Sequence, residues 1–199
     1  MVKQKYITSA KGAYIVITVY TGPMFSQKTA FLLAEYDCSV VAQRTRMAFK
    51  PAIDGRFGQD VIKSRRGGTI EAVCISDLKE LRNYDVQDYF IDEFQFLKGD
   101  IQVIQQMASE GKNFYVSGLD MTAEGKPFAI MQELLCIADE VQKRKAVCND
   151  CMARTATHSF FLGSKSDDVF VGDKEYIALC RKHWAERMRK KEQPTEGGE

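Results

Sequence analysis

The sequence predicts an α/β fold, in which a parallel sheet with helical crossovers is joined to a smaller C-terminal unit of another kind. Three observations lead there. An apolar run, Ala13 to Val19, feeds a glycine-containing turn, Tyr20 to Thr29, which opens into a helix-like run. Strand-like and helix-like runs then alternate as far as Ala138. Past Val141 the alternation gives way to short strands and two closely spaced pairs of Cys or Cys and His. Such alternation implies parallel strands, and parallel sheets of this class bind ligands at the carboxyl ends of their strands.

Taken in order, Thr29 to Ala42 reads as a helix with Phe31, Ala34, Cys38 and Val41 on one face. Thr45 to Phe49 is a short strand stopped by Pro51. Residues 51–69 are polar and glycine-dotted, with Asp54, Arg56, Arg65 and Arg66 and no usable periodicity, and are expected to form a mobile loop over the site. Ile70 to Ile75 follows as a strand, and Ser76 and Asp77 offer caps for a short helix toward Tyr84. Val86 to Ile91 is strand-like and ends on acids. Asp100 to Glu110 reads as a helix closed by Gly111, Phe114 to Val116 as a strand, and Phe128 to Ala138 as a helix starting after Pro127. The expected division is a main domain over residues 12–139, a smaller unit over 140–186 and a disordered charged tail over 187–199.

The turn after the first strand carries the first chemistry. Gly22, Lys28 and Thr29 fall in register with the phosphate-loop pattern G-x-x-x-x-G-K-[ST], while Gln27 stands in place of the second glycine. The pattern works because successive backbone N–H groups, a helix N-terminus, a Lys ammonium and a Thr hydroxyl converge on phosphates and Mg²⁺. Gln27 keeps its N–H but places a side chain where the backbone is expected to need positive φ or close approach, at a cost of ~1–2 kcal/mol. Tyr89-Phe90-Ile91-Asp92-Glu93 supplies the matching second half, an apolar strand end followed by two carboxylates. Asp92 is placed to hold Mg²⁺ with Thr29, and Glu93 to accept a proton from an attacking hydroxyl.

Cys148-Asn149-Asp150-Cys151 and Cys180-Arg181-Lys182-His183 form two hooks, C-x2-C and C-x2-H, separated by 28 residues. That is the spacing of a closed Cys₃His zinc site, structural rather than hydrolytic because no coordination position stays open. Cys38, Cys74 and Cys136 are expected in the core, and His158, in a polar loop, has no metal role. With 28 basic and 27 acidic residues the net charge is +1, which gives no general field for a polyanion, so a small ligand is expected and no nucleic acid. No stretch approaches the ~20 apolar residues of a membrane span, and Met1 to Lys11 lacks the apolar core of a secretory signal. A cytoplasmic address and no membrane partner are expected.

The order and spacing of Gly22 to Thr29, Asp92-Glu93-Phe94-Gln95-Phe96, Gly118-Leu119-Asp120 with Lys126-Pro127-Phe128, and the two hooks bring a family into view. From about residue 12 to 185 the chain resembles the zinc-containing thymidine kinases of the cellular and viral type. The resemblance implies a phosphate-loop domain, a small zinc domain whose lasso loop closes over the nucleoside, and a homo-oligomer, dimer or tetramer. It implies transfer of the γ-phosphoryl of ATP to the 5′-hydroxyl of thymidine or another deoxypyrimidine nucleoside, with ATP, Mg²⁺ and structural Zn²⁺. By that likeness Gly22, Pro23, Met24, Phe25, Ser26, Gln27, Lys28 and Thr29 hold the phosphates and Thr29 and Asp92 the magnesium. Glu93 is the general base, with Lys28 and Arg56 at the transferred group. Met24, Phe96, Leu119 and Tyr176 line the nucleoside pocket, and Val169, Phe170, Val171 and Gly172 lie on the lasso. Cys148, Cys151, Cys180 and His183 bind zinc.

The chain departs from the family pattern at Gln27, at Met121 and Ala123, where the family has glycine and an aromatic that stacks on the base, and at Phe160, near a usual lasso arginine. A missing stacking ring is worth ~1–3 kcal/mol if base stacking in nucleic-acid proteins is a guide. The competing readings are a catalytically weak relative, motivated by Gln27 and Ala123, a phosphate-loop ATPase whose zinc unit binds nucleic acid, and a structural zinc protein. Against the second, Cys148 to Cys180 carries Arg154, Lys165 and Lys174 but also Asp150, Asp167, Asp168, Asp173 and Glu175.

Overall fold

Strands β1 (Ile17–Thr21), β2 (Arg46–Pro51), β5 (Val73–Ile75), β6 (Asp88–Ile91), β7 (Asn113–Gly118) and β8 (Glu140–Lys143) form one six-stranded sheet in the order β5-β2-β6-β7-β1-β8. Every pairing in it is parallel. The structure is a computed structural model and describes residues 16–55, 58, 60–163 and 175–192. Helices α1 (Lys28–Val41), α2 (Gln102–Ser109) and α3 (Ala129–Ile137) make crossovers, and two antiparallel pairs, β3 (Val61–Lys63) with β4 (Thr69–Glu71) and β9 (His158–Phe161) with β10 (Tyr176–Leu179), lie outside the main sheet. Helix α4 (Arg181–Glu192) ends the described chain. Among the described residues no helix is long and apolar enough to cross a membrane.

Both faces of the sheet are covered, which explains why its central strands read as unbroken apolar runs. Tyr89 and Ile91 point to one face, where they pack with Phe49, Phe114 and Val116 beneath α2 and α3; Phe90, between them, points to the other, under Leu32 and Leu33 of α1. Aromatic rings stack across the strands on both sides, Tyr89 on Phe114 at 5.0 Å and Phe90 on Tyr115 at 4.8 Å between centroids. Burial pushes the Tyr115 hydroxyl up to about 12.

The α/β architecture is as the sequence predicts, with differences in detail. The α1 stripe is not Phe31, Ala34, Cys38 and Val41: Ala34, Cys38 and Val41 are exposed, and Leu32, Leu33 and Ser39 face the sheet. The phosphate loop sets that rotation, because it turns Lys28 inward at the first residue of the helix. Cys38 and Cys136 are on the surface and Cys74 is half-buried, so none is a core residue. Residues 51–69 contain β3, and the single strand read over Ile70 to Ile75 is two: β4 pairs with β3, and β5 joins the main sheet beside β2. β2 itself runs through Pro51, paired with Ile75.

Two elements lie across the expected divisions. β8 is an edge strand of the main sheet, paired with β1 from Thr18↔Glu140 to Thr21↔Lys143, so the sheet extends past residue 139. α4 runs to Glu192 and is the charged helix end that leads into residues 193–199. Beyond β8 a second small core forms from Ala146, Cys148, Ala156, Phe160, Ala178 and Leu179, with Trp184 and Met188 of α4 against it. His158 is a buried residue of β9, not a loop residue, and stacks on Trp184 at 4.6 Å. Burial, with Arg181 and Lys143 nearby, holds its imidazole below the ordinary value.

Candidate active site

The loop between β1 and α1 lies at the carboxyl edge of the sheet, with its backbone shape fixed from several directions. Gly22 has φ +133°, and a Cβ there would collide with the Arg144 carbonyl. The Pro23 carbonyl accepts from Ser26 Oγ at 2.7 Å and from Lys28 Nζ at 2.8 Å, which draws the ammonium into the loop. The Met24 N–H donates to Ser159 Oγ in β9 at 3.0 Å, tying the loop to the small unit. Phe25 and Gln27 both take left-handed backbone, φ +64° and +68°. Arg65 lies over the Phe25 ring, 4.1 Å from its centroid. No acidic residue of α1 itself lies in its first turn, so none of its own side chains competes with an anion for the positive end of the dipole.

The two carboxylates follow directly on β6, which ends at Ile91. Thr29 Oγ1 donates to the buried Asp92 carboxylate, 3.1 and 3.2 Å from its two oxygens, and Ser117 Oγ at the end of β7 also donates to it. Glu93 takes left-handed backbone, φ +50°. Its Oε2 accepts from Gln95 Nε2 at 2.6 Å, and Gln95 Oε1 accepts the Leu119 N–H at 2.9 Å. The buried Gln95 amide thus connects Glu93 with the loop after β7. Phe96 meets Phe128 edge to face at 6.3 Å.

In the small unit the two hooks converge. Cys148 Sγ, Cys151 Sγ, Cys180 Sγ and a His183 ring nitrogen all lie within 4.8 Å of one another. Cys148 and Cys180 sulfurs are 3.4 and 3.2 Å from His183 Nδ1. Burial opposes ionisation of Cys148, but N–H groups of Cys180, Cys151 and Asp150 and the His183 ring outweigh it and bring the thiol down to about 6. At Cys180 a backbone N–H from His183 favours the thiolate, yet burial and the neighbouring Cys148 and Cys151 push it up. Four soft and borderline donors this close could hold a metal ion, because a tetrahedron with bonds of ~2.0–2.3 Å has edges of this order.

A family profile described as "Thymidine kinase" matches residues 15–184. The chain belongs to the thymidine kinase family. Among its relatives, a thymidine kinase of Mycoplasma mobile is 40% identical over 172 residues, 84% of this chain and 86% of that protein. A thymidine kinase of Pseudothermotoga lettingae is 32% identical over 170 residues, 83% of this chain and 92% of that protein.

Within this thymidine kinase fold, Lys28 and Thr29 follow β1, Asp92 and Glu93 follow β6, Thr29 touches Asp92, and Met24 is buried against β9. Tyr176 lies in β10 beside Phe161, with burial and the neighbouring Glu124 and Glu175 raising its hydroxyl. Arg56, Val169, Phe170, Val171 and Gly172 lie outside the described residues.

Sequence reading missed four side chains. Gln95 and Ser117 touch the carboxylates, and Ser159 holds the loop. Lys50, 1% exposed, donates to the Gly58 and Val61 carbonyls at 3.0 and 3.2 Å and sits 3.6 Å from Asp54, anchoring the segment after β2. A signal existed for Gln95, a polar residue in the otherwise apolar Phe94-Gln95-Phe96 next to the acids; Ser159 had none, because its partner is 135 residues away.

Proposed function

We propose that this chain transfers the γ-phosphoryl group of ATP to the 5′-hydroxyl of thymidine or a related deoxypyrimidine nucleoside. The observation that carries the reading is the contact of Thr29, which follows Lys28 in the loop, with Asp92, which precedes Glu93, at one sheet edge. Loop amides and the Lys28 ammonium bind the phosphates and offset charge on the transferred group. Thr29 and Asp92, hard oxygen donors in contact, are the residues to hold Mg²⁺, whose chemistry is to neutralise phosphate charge. Glu93 takes the proton from the 5′-hydroxyl, and the Gln95 amide fixes the carboxylate that does so. Met24, Phe96, Leu119 and Tyr176 enclose the nucleoside, with Val169 to Gly172 closing over it and Arg56 at the phosphoryl group.

The Cys148, Cys151, Cys180 and His183 set takes zinc in a structural role, since all four ligands come from the protein. The enzyme works in the cytoplasm as a homo-oligomer, which size-exclusion chromatography with light scattering checks. The deciding experiment follows ADP formation with and without thymidine in the parent, Glu93→Gln and Asp92→Asn proteins. Thymidine-dependent turnover that falls by a factor of about 10² or more in Glu93→Gln, with ATP binding kept, is expected. A parent protein that makes no thymidine-dependent ADP refutes the reading.

A further inference from the structure

Lys143, Arg144, Lys145 and Arg154 line one open cavity of about 330 Å³. Its place in the fold is specific. β8 runs parallel beside β1, the Arg144 N–H donates to the Thr21 carbonyl at 2.7 Å, and Gly22 packs on the Arg144 backbone. Arg144 and Lys145 therefore leave the sheet at its ligand-binding edge, one strand over from the phosphate loop.

The charge in this cleft is poorly compensated. Lys143 is paired with the buried Asp120 carboxylate at 2.7 Å. Arg144 lies on the Phe31 ring, its Cζ 3.7 Å from the centroid, an arrangement that fixes the guanidinium plane and leaves its charge in place. Among the described residues no carboxylate pairs with Arg144, Lys145 or Arg154, while the whole chain carries only a +1 excess. Three cations around one open cleft raise its potential, which favours an anion seated between them. Two of them are arginines, whose planar forks match phosphate oxygens. The cavity suits one phosphate-bearing group rather than the long basic track a nucleic acid needs.

We propose that this cleft is a second oxyanion site that binds phosphate groups, built from residues other than the phosphate loop. The phosphates come either from a donor nucleotide already seated in the loop, which rests on the kinase reading above, or from a separate phosphorylated small molecule.

The probe is inorganic tripolyphosphate, titrated calorimetrically into the full, metal-loaded chain carrying Lys28→Ala to weaken the loop. Expected is a retained, salt-sensitive site that weakens at least tenfold when Lys145→Ala and Arg154→Ala are added and returns with Lys145→Arg and Arg154→Lys. Lys145 and Arg154 are exposed, so these changes do not threaten folding. In case Lys28→Ala fails to fold, the same comparison runs in the presence of saturating ATP–Mg²⁺ on the parent background.

That second arm also separates the sources. Tripolyphosphate that still binds beside ATP identifies a separate ligand; exclusion, together with ATP affinity at least threefold weaker in Lys145→Ala/Arg154→Ala, identifies the donor. Loss of all tripolyphosphate binding with Lys28→Ala alone, in a folded protein, or equal binding after removal of both cations, overturns the proposal. So does DNA retention lost with the two cations while tripolyphosphate does not bind. Thymidine-dependent ADP formation, followed in parallel, tells failure of this site from failure of the kinase reading.

Discussion

Gln27→Gly is the substitution whose outcome the structure fixes most closely. Gln27 sits at φ +68°, ψ +21°, its side chain is exposed, and it makes no capping hydrogen bond. An L-residue in that conformation costs about 1–2 kcal/mol relative to glycine. Glycine gives back about 0.5–1 kcal/mol through the greater freedom of the unfolded chain. The net is a gain of up to about 1.5 kcal/mol, which for a chain of this size raises Tm by up to about 6 °C. Urea denaturation at fixed metal content measures it, as a higher midpoint with an unchanged slope. Gln27→Ala is the control: alanine pays the same left-handed penalty and gains nothing. Equal stabilisation by alanine and glycine, or a loss with glycine, refutes the reasoning. Because the backbone already holds the left-handed turn with glutamine present, thymidine-dependent turnover is expected to change less than about threefold, a small effect on the scale of transition-state energies. A tenfold gain would mean that the side chain itself obstructs the phosphates.

Gln95→Leu is expected to lower kcat about 10–100-fold with little effect on KM for ATP, because Glu93 loses the amide that aims it; an effect confined to KM refutes the positioning role. Stripping the metal with a chelator, or Cys148→Ser, is expected to red-shift the emission of Trp184, the chain's one tryptophan, whose N–H donates to the Ala123 carbonyl at 2.9 Å. Emission unchanged after complete metal loss refutes that coupling. Burial pushes the Asp88 carboxyl up, but hydrogen bonds from Arg44, Ser39 and Asn113 and the Arg44 charge outweigh it and hold it below the ordinary value. Its contribution is therefore fully present above the unfolded value of about 3.9 and is lost as pH falls from there through the folded value. Asp88→Asn is expected to cost about 1–3 kcal/mol at neutral pH and to flatten the acid limb of the stability curve; a limb as steep as the parent's refutes the assignment.

What was legible in the sequence was local. Gly22, Lys28 and Thr29 lie within eight residues, Asp92 and Glu93 end one strand, and each metal hook spans four residues, so spacing alone exposes them. The alternation of runs likewise exposed the parallel sheet, since a strand covered on both faces must be apolar throughout, as Tyr89, Phe90 and Ile91 are. What was hidden depends on partners far away in the chain. β3 is three residues long and reads as loop because the buried Lys50, from β2, organises the backbone before it. The face of α1 could not be read because Phe31 and Leu32 are both apolar, and only the inward turn of Lys28 selects Leu32.

The same dependence reaches into the phosphate loop, the feature most visible in the sequence. Its first glycine is required by the Arg144 carbonyl and its Met24 amide is held by Ser159, so both fixed points come from chain more than 120 residues downstream. The pattern G-x-x-x-x-Q-K-T says which groups could meet a phosphate; β8 and β9 set where the backbone carries them. The small unit is thus part of the loop's scaffold. Ser159→Ala, which frees the Met24 N–H while leaving every residue of the phosphate loop itself unchanged, is for that reason expected to weaken ATP binding before it alters metal content. The buried Met24 N–H loses a hydrogen bond worth about 0.5–1.5 kcal/mol, or about two- to thirteenfold in affinity if the cost falls on the loop's bound shape. Unchanged ATP affinity with lowered stability would show instead that the bond merely joins the two units.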